Sequence, residues 1–277
     1  MSILKAIILG LVQGLTEFLP ISSSGHLSVA QHLFYEPDIL DDLLDVMLHL
    51  GTLLAVFIVF YKKILKYILE FVGLVKDVFT RKFKWAEMSD SRRSVIMLFV
   101  ALAPLVLIVP FHDQIKMINN TDNLLSEGFS FLFTGAMLLI ASKAARLNSK
   151  KRTITFPTAL AIGVMQAIAA SLAGVSRSGS TIAIALILGL SKEMAVEFSF
   201  IMSIPTILAA FALELHKADT SAMPWTSAII GIIVAAAVGV FAISALRWLI
   251  KKDKFHWFGF YCLGLGVVCL GISAFGW

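Results

Sequence analysis

Residues 10–26 have the sequence GLVQGLTEFLPISSSGH, in which an apolar run ends at Pro20 and three serines, a glycine and a histidine follow. Residues 163–180, GVMQAIAASLAGVSRSGS, have a related pattern. GLVQ matches GVMQ 153 positions later, and SSSG matches SRSG 154 positions later. The 154-residue offset also aligns 48–55 with 202–209. The sequence therefore predicts an internal repeat in which each copy begins with an interrupted apolar segment.

The composition of the chain places both segments in a membrane. Of its 277 residues, 58% are hydrophobic and 15% are charged, whereas a soluble domain is about 25% charged. This composition excludes a disordered chain, a disulfide scaffold and an ordinary cytosolic globular protein. Six apolar segments approach the roughly 20 residues that cross a bilayer, and we predict crossings at 43–60, 94–111, 129–141, 198–213, 226–246 and 256–276.

The charged connections indicate how these crossings are oriented. Three connections, 61–93, 142–156 and 247–254, hold eighteen of the 23 lysines and arginines. The positive-inside rule places them in the cytoplasm. The stretch 35–45 has five acidic residues and no basic residue, so we expect it on the outer side.

Two regions, 1–34 and 157–190, do not fit as simple crossings, because each contains an apolar run, a break and a second short run. They are predicted to be re-entrant hairpins entering from opposite faces, and a kinked full span is the alternative at either place. The predicted fold is an all-α polytopic membrane protein with two inverted repeats. The repeats are 1–145 and 146–277, each a re-entrant hairpin followed by three transmembrane helices.

The hairpin tips, 20–26 and 173–181, are the predicted site, because inverted-repeat proteins bind ligands where interrupted helices meet. Glu17 and Arg177 are the only formal charges predicted deep within these segments, where each costs about 2.5–3.5 kcal/mol. A pair that only joins the two hairpins is the structural alternative. Serines at helix starts, beside free N–H groups, form anion sites. An arginine among them suits a phosphate or a diphosphate.

Other polar residues near the first tip add candidate roles. His26, beside a serine nucleophile and a phosphate, could act as general base or acid, or could attack phosphorus itself. Gln13 and Glu17 are four residues apart and share a helix face. Glu17 could orient His26, accept a proton or hold a divalent cation, although one carboxylate is a thin metal site. His49, within a crossing, is expected to bond a neighbouring helix.

These motifs resemble the signatures of a known family, the bacterial undecaprenyl-diphosphatases linked to bacitracin resistance. The first signature corresponds to 13–26 and the second to 173–181, and the resemblance extends over the whole chain. Gln13 stands where the family has Glu or Gln, and Ala173 replaces a common proline. The resemblance implies an integral-membrane phosphatase that converts undecaprenyl diphosphate to undecaprenyl phosphate. That product is the lipid carrier for peptidoglycan and other envelope polymers.

The resemblance also implies roles for individual residues. The positions that match catalytic ones are Glu17, Ser23, His26 and Arg177, with Ser23 or a water attacking phosphorus. The implied phosphate-binding residues are Ser22, Ser24, Gly25, Ser176, Arg177, Ser178, Gly179 and Thr181. A divalent cation, Mg²⁺ or Ca²⁺, is expected to assist, with Glu17 as its ligand and Gln13 beside it.

The expected surroundings follow from the same resemblance. We expect a multi-pass protein of the bacterial cytoplasmic membrane whose site faces outward, with a polyprenyl diphosphate and membrane lipids as partners and no nucleic acid. The sequence leaves homo-oligomerisation open. A transporter that flips a polyprenyl phosphate is the alternative function, because paired hairpins also occur in secondary transporters. A purely structural scaffold would leave Glu17 and Arg177 unexplained.

Overall fold

A computed structural model of the chain describes residues 2–33, 42–111, 114–115, 124–148, 153–217 and 224–275. Every long element in these residues is an α-helix. In chain order the helices are α1 (Ile3–Phe18), α2 (Ser23–Leu33), α3 (Asp42–Phe79), α4 (Asp90–Ile108), α5 (Leu125–Asn148), α6 (Phe156–Ser171), α7 (Arg177–Ile187), α8 (Lys192–Lys217), α9 (Trp225–Lys251) and α10 (His256–Ala274).

Six of the described helices, α3, α4, α5, α8, α9 and α10, are long and apolar enough to cross a membrane. Each coincides with one of the six predicted crossings, and those predictions are confirmed. The chain is an all-α, multi-pass membrane protein. Large parts of the connections predicted to be external lie outside the described residues, at 34–41, 116–123 and 218–223.

One predicted boundary is wrong, because α3 continues to Phe79 instead of ending near residue 60. Its 38 residues correspond to about 57 Å of helix, far more than the roughly 30 Å hydrocarbon core. The backbone leaves helical geometry at Phe60 (φ −111°, ψ 17°), where the helix kinks. Four lysines and three leucines follow the kink within α3. Both residue types favour helix, so this basic stretch extends the helix.

Short helices precede long helices in both halves of the chain. In each half, two short helices of 16 and 11 residues precede three long ones. The short first helix packs mainly against a long helix of the other half, α1 against α9 and α6 against α4. The division into inverted repeats at about residue 145 stays a prediction.

Two corresponding glycines allow those close helix contacts. A Cβ atom on Gly10 would lie 2.6 Å from the carbonyl oxygen of Gly231, and one on Gly163 would lie 2.3 Å from that of Ala101. Because neither position can hold a side chain without movement of the partner backbone, both are restricted to glycine. Gly10 and Gly163 are 153 positions apart, so the sequence repeat coincides with a repeated packing contact.

Helix α7 lies in the centre of the largest apolar core. Ile182 and Ala183 are completely buried there, and α7 packs against α5, α6 and α8. This burial places the start of α7 next to the end of α1. As a result the two hairpin tips lie against each other: a Cβ on Gly179 would be 3.1 Å from the carbonyl oxygen of Pro20.

Candidate active site

The first tip is a sharp break between α1 and α2. Ser22 has a φ of +73°, a left-handed conformation that costs a residue with a Cβ about 1–2 kcal/mol. In this conformation the Ser22 hydroxyl accepts a hydrogen bond from the Gly25 N–H at 3.1 Å, and the Ser22 carbonyl accepts one from the His26 N–H at 3.2 Å. The strained serine thereby caps α2 and holds Ser23 at its first position.

The second tip has the same cap, 154 residues later in the chain. The Ser176 hydroxyl accepts a hydrogen bond from the Gly179 N–H at 3.0 Å, and the Ser176 carbonyl accepts one from the Ser180 N–H at 2.9 Å. Here the positive φ belongs to Gly174, at +78°. Glycine adopts this conformation readily, so the second tip avoids the strain that Ser22 carries.

Helix α5 supports the second tip through two hydrogen bonds. The Ser130 hydroxyl donates to the Ala173 carbonyl at 2.5 Å, and the Ser176 N–H donates to the Thr134 hydroxyl at 3.2 Å. These bonds occupy backbone groups that the break would otherwise leave unpaired inside the protein. Ala173, which replaces a proline common in the resembled family, therefore stands in a braced turn.

Glu17 and Arg177 meet where the tips touch, although they lie in different halves of the chain. The Glu17 side chain is only 4% exposed, and its Oε1 accepts a hydrogen bond from Arg177 Nη2. Its Oε2 accepts one from the Ser23 hydroxyl at 2.8 Å and one from Gln13 Nε2 at 3.1 Å. The Ser178 hydroxyl donates to the Glu17 carbonyl at 3.0 Å. Glu17 is thus oriented by donors from both tips.

A cavity of about 350 Å³ opens beside this cluster. That volume is within the usual range for small-molecule sites. Its polar lining residues are Glu17, Ser23, Ser24, Asp45, His49, Ser176, Arg177, Ser178 and Thr206. Its apolar lining residues are Val46, Ala169, Ala170, Leu172, Ala173, Val175, Ile207 and Ala210. The cavity is therefore polar at the tips and apolar along α6 and α8.

Several predicted phosphate-binding residues hold the tips and do not appear in the described lining of the cavity. Ser22 caps α2, and Gly25 and Gly179 donate the N–H groups of the two caps. The Thr181 hydroxyl lies 2.6 Å from the Ser199 hydroxyl and donates to the Arg177 carbonyl at 2.9 Å. These residues shape the site, whereas Ser24, Ser176, Arg177 and Ser178 face the cavity.

His26 also lies apart from the described lining. Its Nδ1 is 2.7 Å from the Ser22 carbonyl oxygen and its Nε2 is 2.7 Å from the Tyr261 hydroxyl. The ring stacks on Tyr261 and meets the edge of Phe131. Both ring nitrogens are occupied by partners outside the Glu17 cluster. In this geometry His26 secures the strained carbonyl of Ser22 to α10.

Three acidic or basic groups near the tips have roles that sequence reasoning missed. His49 and Asp45 line the cavity from α3, and His49 Nε2 is 3.4 Å from Glu17 Oε2. A contact with a neighbouring helix was correctly expected for His49, but Glu17 as its partner was not. Glu127 is buried and accepts hydrogen bonds at 2.8 Å from Ser28 and Ser126. These three groups lie on α3 and α5, outside the two hairpins that contain Glu17 and Arg177.

The site residues do not fit a metal centre formed by the protein alone. Within the part of the chain that the structure describes, no group of three or more His, Cys, Asp or Glu residues is placed to hold an ion. Both oxygens of Glu17 already accept hydrogen bonds, and Gln13 presents its amide nitrogen to that carboxylate. A cation here would take most of its ligands from substrate oxygens and water. The expected Mg²⁺ or Ca²⁺ stays a prediction.

The sequence matches known proteins over almost its whole length. The family model described as "Bacitracin resistance protein BacA" matches residues 6–268. A protein of Treponema denticola named undecaprenyl-diphosphatase is 41% identical, with 100% of this chain and 98% of that protein covered. One of Alkaliphilus metalliredigens with the same name is 38% identical, with 99% of each covered. Undecaprenyl-diphosphatase 4 of Bacillus thuringiensis is 39% identical, covering 99% of this chain and 98% of that protein.

Proposed function

Since this chain belongs to the BacA bacitracin-resistance family, we propose that it is a membrane phosphatase that hydrolyses undecaprenyl diphosphate. The products are undecaprenyl phosphate, which returns to envelope-polymer synthesis as lipid carrier, and inorganic phosphate. One structural observation carries the proposal: the Ser23 hydroxyl donates to the buried Glu17 carboxylate, and Arg177 binds the same carboxylate at the wall of a cavity. A nucleophile, a base and an anion-binding cation are thus adjacent.

The lining of the cavity suits a phosphorylated lipid. The diphosphate occupies the polar end, where Arg177, Ser176 and Ser178 face the cavity at the start of α7. The first prenyl units lie along the alanine-rich wall of α6 and beside Ile207 of α8. The N–H groups and the dipole of a helix N-terminus favour a phosphate there, and the guanidinium adds a planar pair of donors.

Ser23 is the proposed nucleophile. Its oxygen forms a bond to the terminal phosphorus as the bond from that phosphorus to the bridging oxygen breaks, and its proton passes to Glu17 Oε2, 2.8 Å away. Undecaprenyl phosphate leaves with the bridging oxygen. A water then attacks the phosphorus of the phosphoserine as the bond from that phosphorus to the Ser23 oxygen breaks. Glu17 returns its proton to the Ser23 oxygen, and both hydrogens of the water leave with the inorganic phosphate. Arg177 stabilises the charge on the equatorial phosphoryl oxygens in both steps.

The position of the cavity supports an outward-facing site. Asp45 is the last residue of the acidic stretch predicted to be external, and His49 follows it by one turn of α3. Thr206 and Ala210 lie in the second half of α8, away from the basic end of that helix at Lys192. We therefore place the protein in the bacterial cytoplasmic membrane, with its two halves as inverted repeats and the cavity nearer the outer face.

Transport, the alternative predicted from the sequence, is not supported. The relatives that match the chain over nearly its whole length are named for diphosphate hydrolysis. The Ser23–Glu17 contact also supplies a proton-accepting pair, which the binding of a lipid phosphate alone does not require.

The test is phosphate release from undecaprenyl diphosphate by the purified protein in detergent, measured for the wild type and for Ser23→Ala. Ser244→Ala is the matched control, because Ser244 is exposed on α9 and bonds only its own helix in the described contacts. We expect release by the wild type and by Ser244→Ala, and loss with Ser23→Ala. A folded wild type that releases no phosphate, with Mg²⁺ or Ca²⁺ supplied, would refute the proposal.

A further inference from the structure

His49 is a cavity residue to which the mechanism above assigns no task. It lies on α3, yet its Nε2 is 3.4 Å from Glu17 Oε2 on α1. This is the same carboxylate oxygen that accepts the Ser23 proton. On the other side of the ring, Nδ1 is 2.8 Å from the Asp45 carbonyl oxygen and 3.6 Å from the Asp45 carboxylate. Ser23, Glu17, His49 and Asp45 therefore form a continuous chain.

The contacts of the ring indicate its charge. A backbone carbonyl can only accept a hydrogen bond, so Nδ1 carries a hydrogen. Nε2 faces a carboxylate, and a second hydrogen there turns a repulsive contact into an ion pair. Two carboxylates, Glu17 and Asp45, flank the ring, while Arg177 is the opposing cation nearby. The imidazolium form of His49 fits this arrangement.

Substrate binding changes which of the two cations, Arg177 or His49, holds Glu17. In the present structure Glu17 is held by Arg177 at Oε1 and approached by His49 at Oε2. A diphosphate in the cavity competes for the guanidinium of Arg177, because both ligands are anions at the same donors. When Arg177 turns to the phosphate, His49 is the cation that stays beside Glu17. Without it the base could swing away from Ser23.

We propose that His49, steadied by Asp45, is a positioning residue that holds Glu17 towards Ser23 while Arg177 binds the diphosphate. This inference rests on the proposed function and deepens it. It assigns the task to a residue outside both hairpin tips, on the first transmembrane crossing. The role is exerted through Glu17 and includes no proton transfer by His49 to the substrate.

The test compares kcat and KM for phosphate release from undecaprenyl diphosphate among His49 variants. His49→Leu keeps much of the volume but removes the donor, and we expect kcat to fall by about 100-fold, as for a misplaced catalytic group, with KM nearly unchanged. His49→Gln, whose amide N–H can still reach Glu17, should restore most of kcat. His216→Gln is the matched control, because His216 is exposed in the last turn of α8.

Three results would overturn the inference: full kcat in His49→Leu, a loss confined to KM, or a His49→Gln variant as slow as His49→Leu. Where neither His49 variant folds, as judged by size exclusion and thermal unfolding, Asp45→Asn decides. A lower kcat in Asp45→Asn supports the inference, and an unchanged kcat overturns it. Inactive wild type and inactive His216→Gln would instead refute the proposed diphosphatase function, so the two failures are distinguishable.

Discussion

The two hairpin tips share one pattern of capping hydrogen bonds and differ in the functional side chains that they carry. Each has a serine whose hydroxyl caps the next helix, at positions 154 residues apart, Ser22 and Ser176. The first tip carries the hydroxyl, Ser23, beside the acceptor Glu17 at the end of α1, whereas the second tip carries the cation, Arg177. In the proposed mechanism, the first tip thus supplies the nucleophile next to its base, and the second tip supplies the phosphate clamp.

Strain is distributed unequally between the tips as well. The left-handed residue is a serine in the first tip and a glycine in the second. Ser22 needs its side chain for the cap, so glycine cannot replace it there without loss of the cap. Backbone strain that persists is commonly found at functional sites, and here it adjoins the proposed nucleophile, Ser23. The relaxed second tip is the one buried most centrally.

The largest effect is expected at the first tip, from Glu17→Gln. An amide cannot take the Ser23 proton, so kcat should fall by at least about 100-fold while KM changes little. Phosphate-release kinetics would show this, with Glu193→Gln as the control because Glu193 is exposed in the first turn of α8. A Glu17→Gln variant with near-normal kcat would show that Glu17 is not the base beside the first tip.

A somewhat smaller effect is expected at the second tip, from Arg177→Lys. Lysine keeps the charge but loses the planar pair of donors, and the loss of one charged hydrogen bond corresponds to roughly 10-fold to 100-fold. Because this residue binds the phosphate, KM should rise as well as kcat fall. Arg81→Lys, at an exposed turn, is the control. An unchanged KM would contradict the clamp role of the second tip.

Gly174→Ala tests the backbone of the second tip. An alanine at this position would have to adopt the φ of +78° that Gly174 has. Its Cβ would lie 3.1 Å from Ser130 Cβ and 3.2 Å from Glu127 Cα. We expect a loss of stability of about 1–2 kcal/mol, seen as a lower Tm in detergent. Gly264→Ala should leave Tm unchanged, since a Cβ on Gly264 would meet no described atom within 4 Å. Equal Tm values for the two variants would show that the second tip is not restricted to glycine.

The smallest effect is expected far from both tips, at Asp253 in the turn between α9 and α10. A hydrogen bond from Lys192 holds the pKa of Asp253 below its ordinary value. Its side chain is 54% exposed, so the pair contributes at most about 1 kcal/mol. Asp253→Asn should therefore lower Tm slightly at neutral pH.

The pH dependence of that difference has a definite sign. A carboxyl group whose pKa is lowered by folding stabilises the fold at pH values above its ordinary pKa. This stabilisation disappears as the pH falls through the folded-state pKa. The Tm gap between wild type and Asp253→Asn should therefore close in acid. A Tm difference at neutral pH as large as that expected for Gly174→Ala would contradict the small contribution expected of an exposed ion pair.

Local sequence signals were sufficient to predict much of this fold. The crossings follow from apolar length, and both breaks follow from proline, glycine and serine, which end helices for steric and hydrogen-bonding reasons. The contact between Glu17 and Arg177 could also be anticipated, because two lone charges at that depth are costly apart. The helical extension of α3 to Phe79 was missed, since its many lysines were interpreted as a loop despite their helix propensity.

The contacts that complete the candidate site could not be predicted in the same way. His49 was visible as a polar residue in an apolar crossing, but its distance from Glu17 depends on how α3 packs against α1. His26 has a motif position next to Ser23, yet its two ring nitrogens bond Ser22 and Tyr261. The direction of a side chain at a helix start is fixed by neighbours distant in sequence, such as Tyr261 on α10.

A double-mutant cycle on phosphate release from undecaprenyl diphosphate tests most directly whether the two tips form one catalytic site. The proteins are the wild type, Glu17→Gln, Arg177→Lys and the double variant. Groups that act as a unit lose activity non-additively, so we predict that the double variant is little slower than Glu17→Gln alone. A double variant slowed by the product of the two single effects, or a folded wild type without activity, would contradict the account.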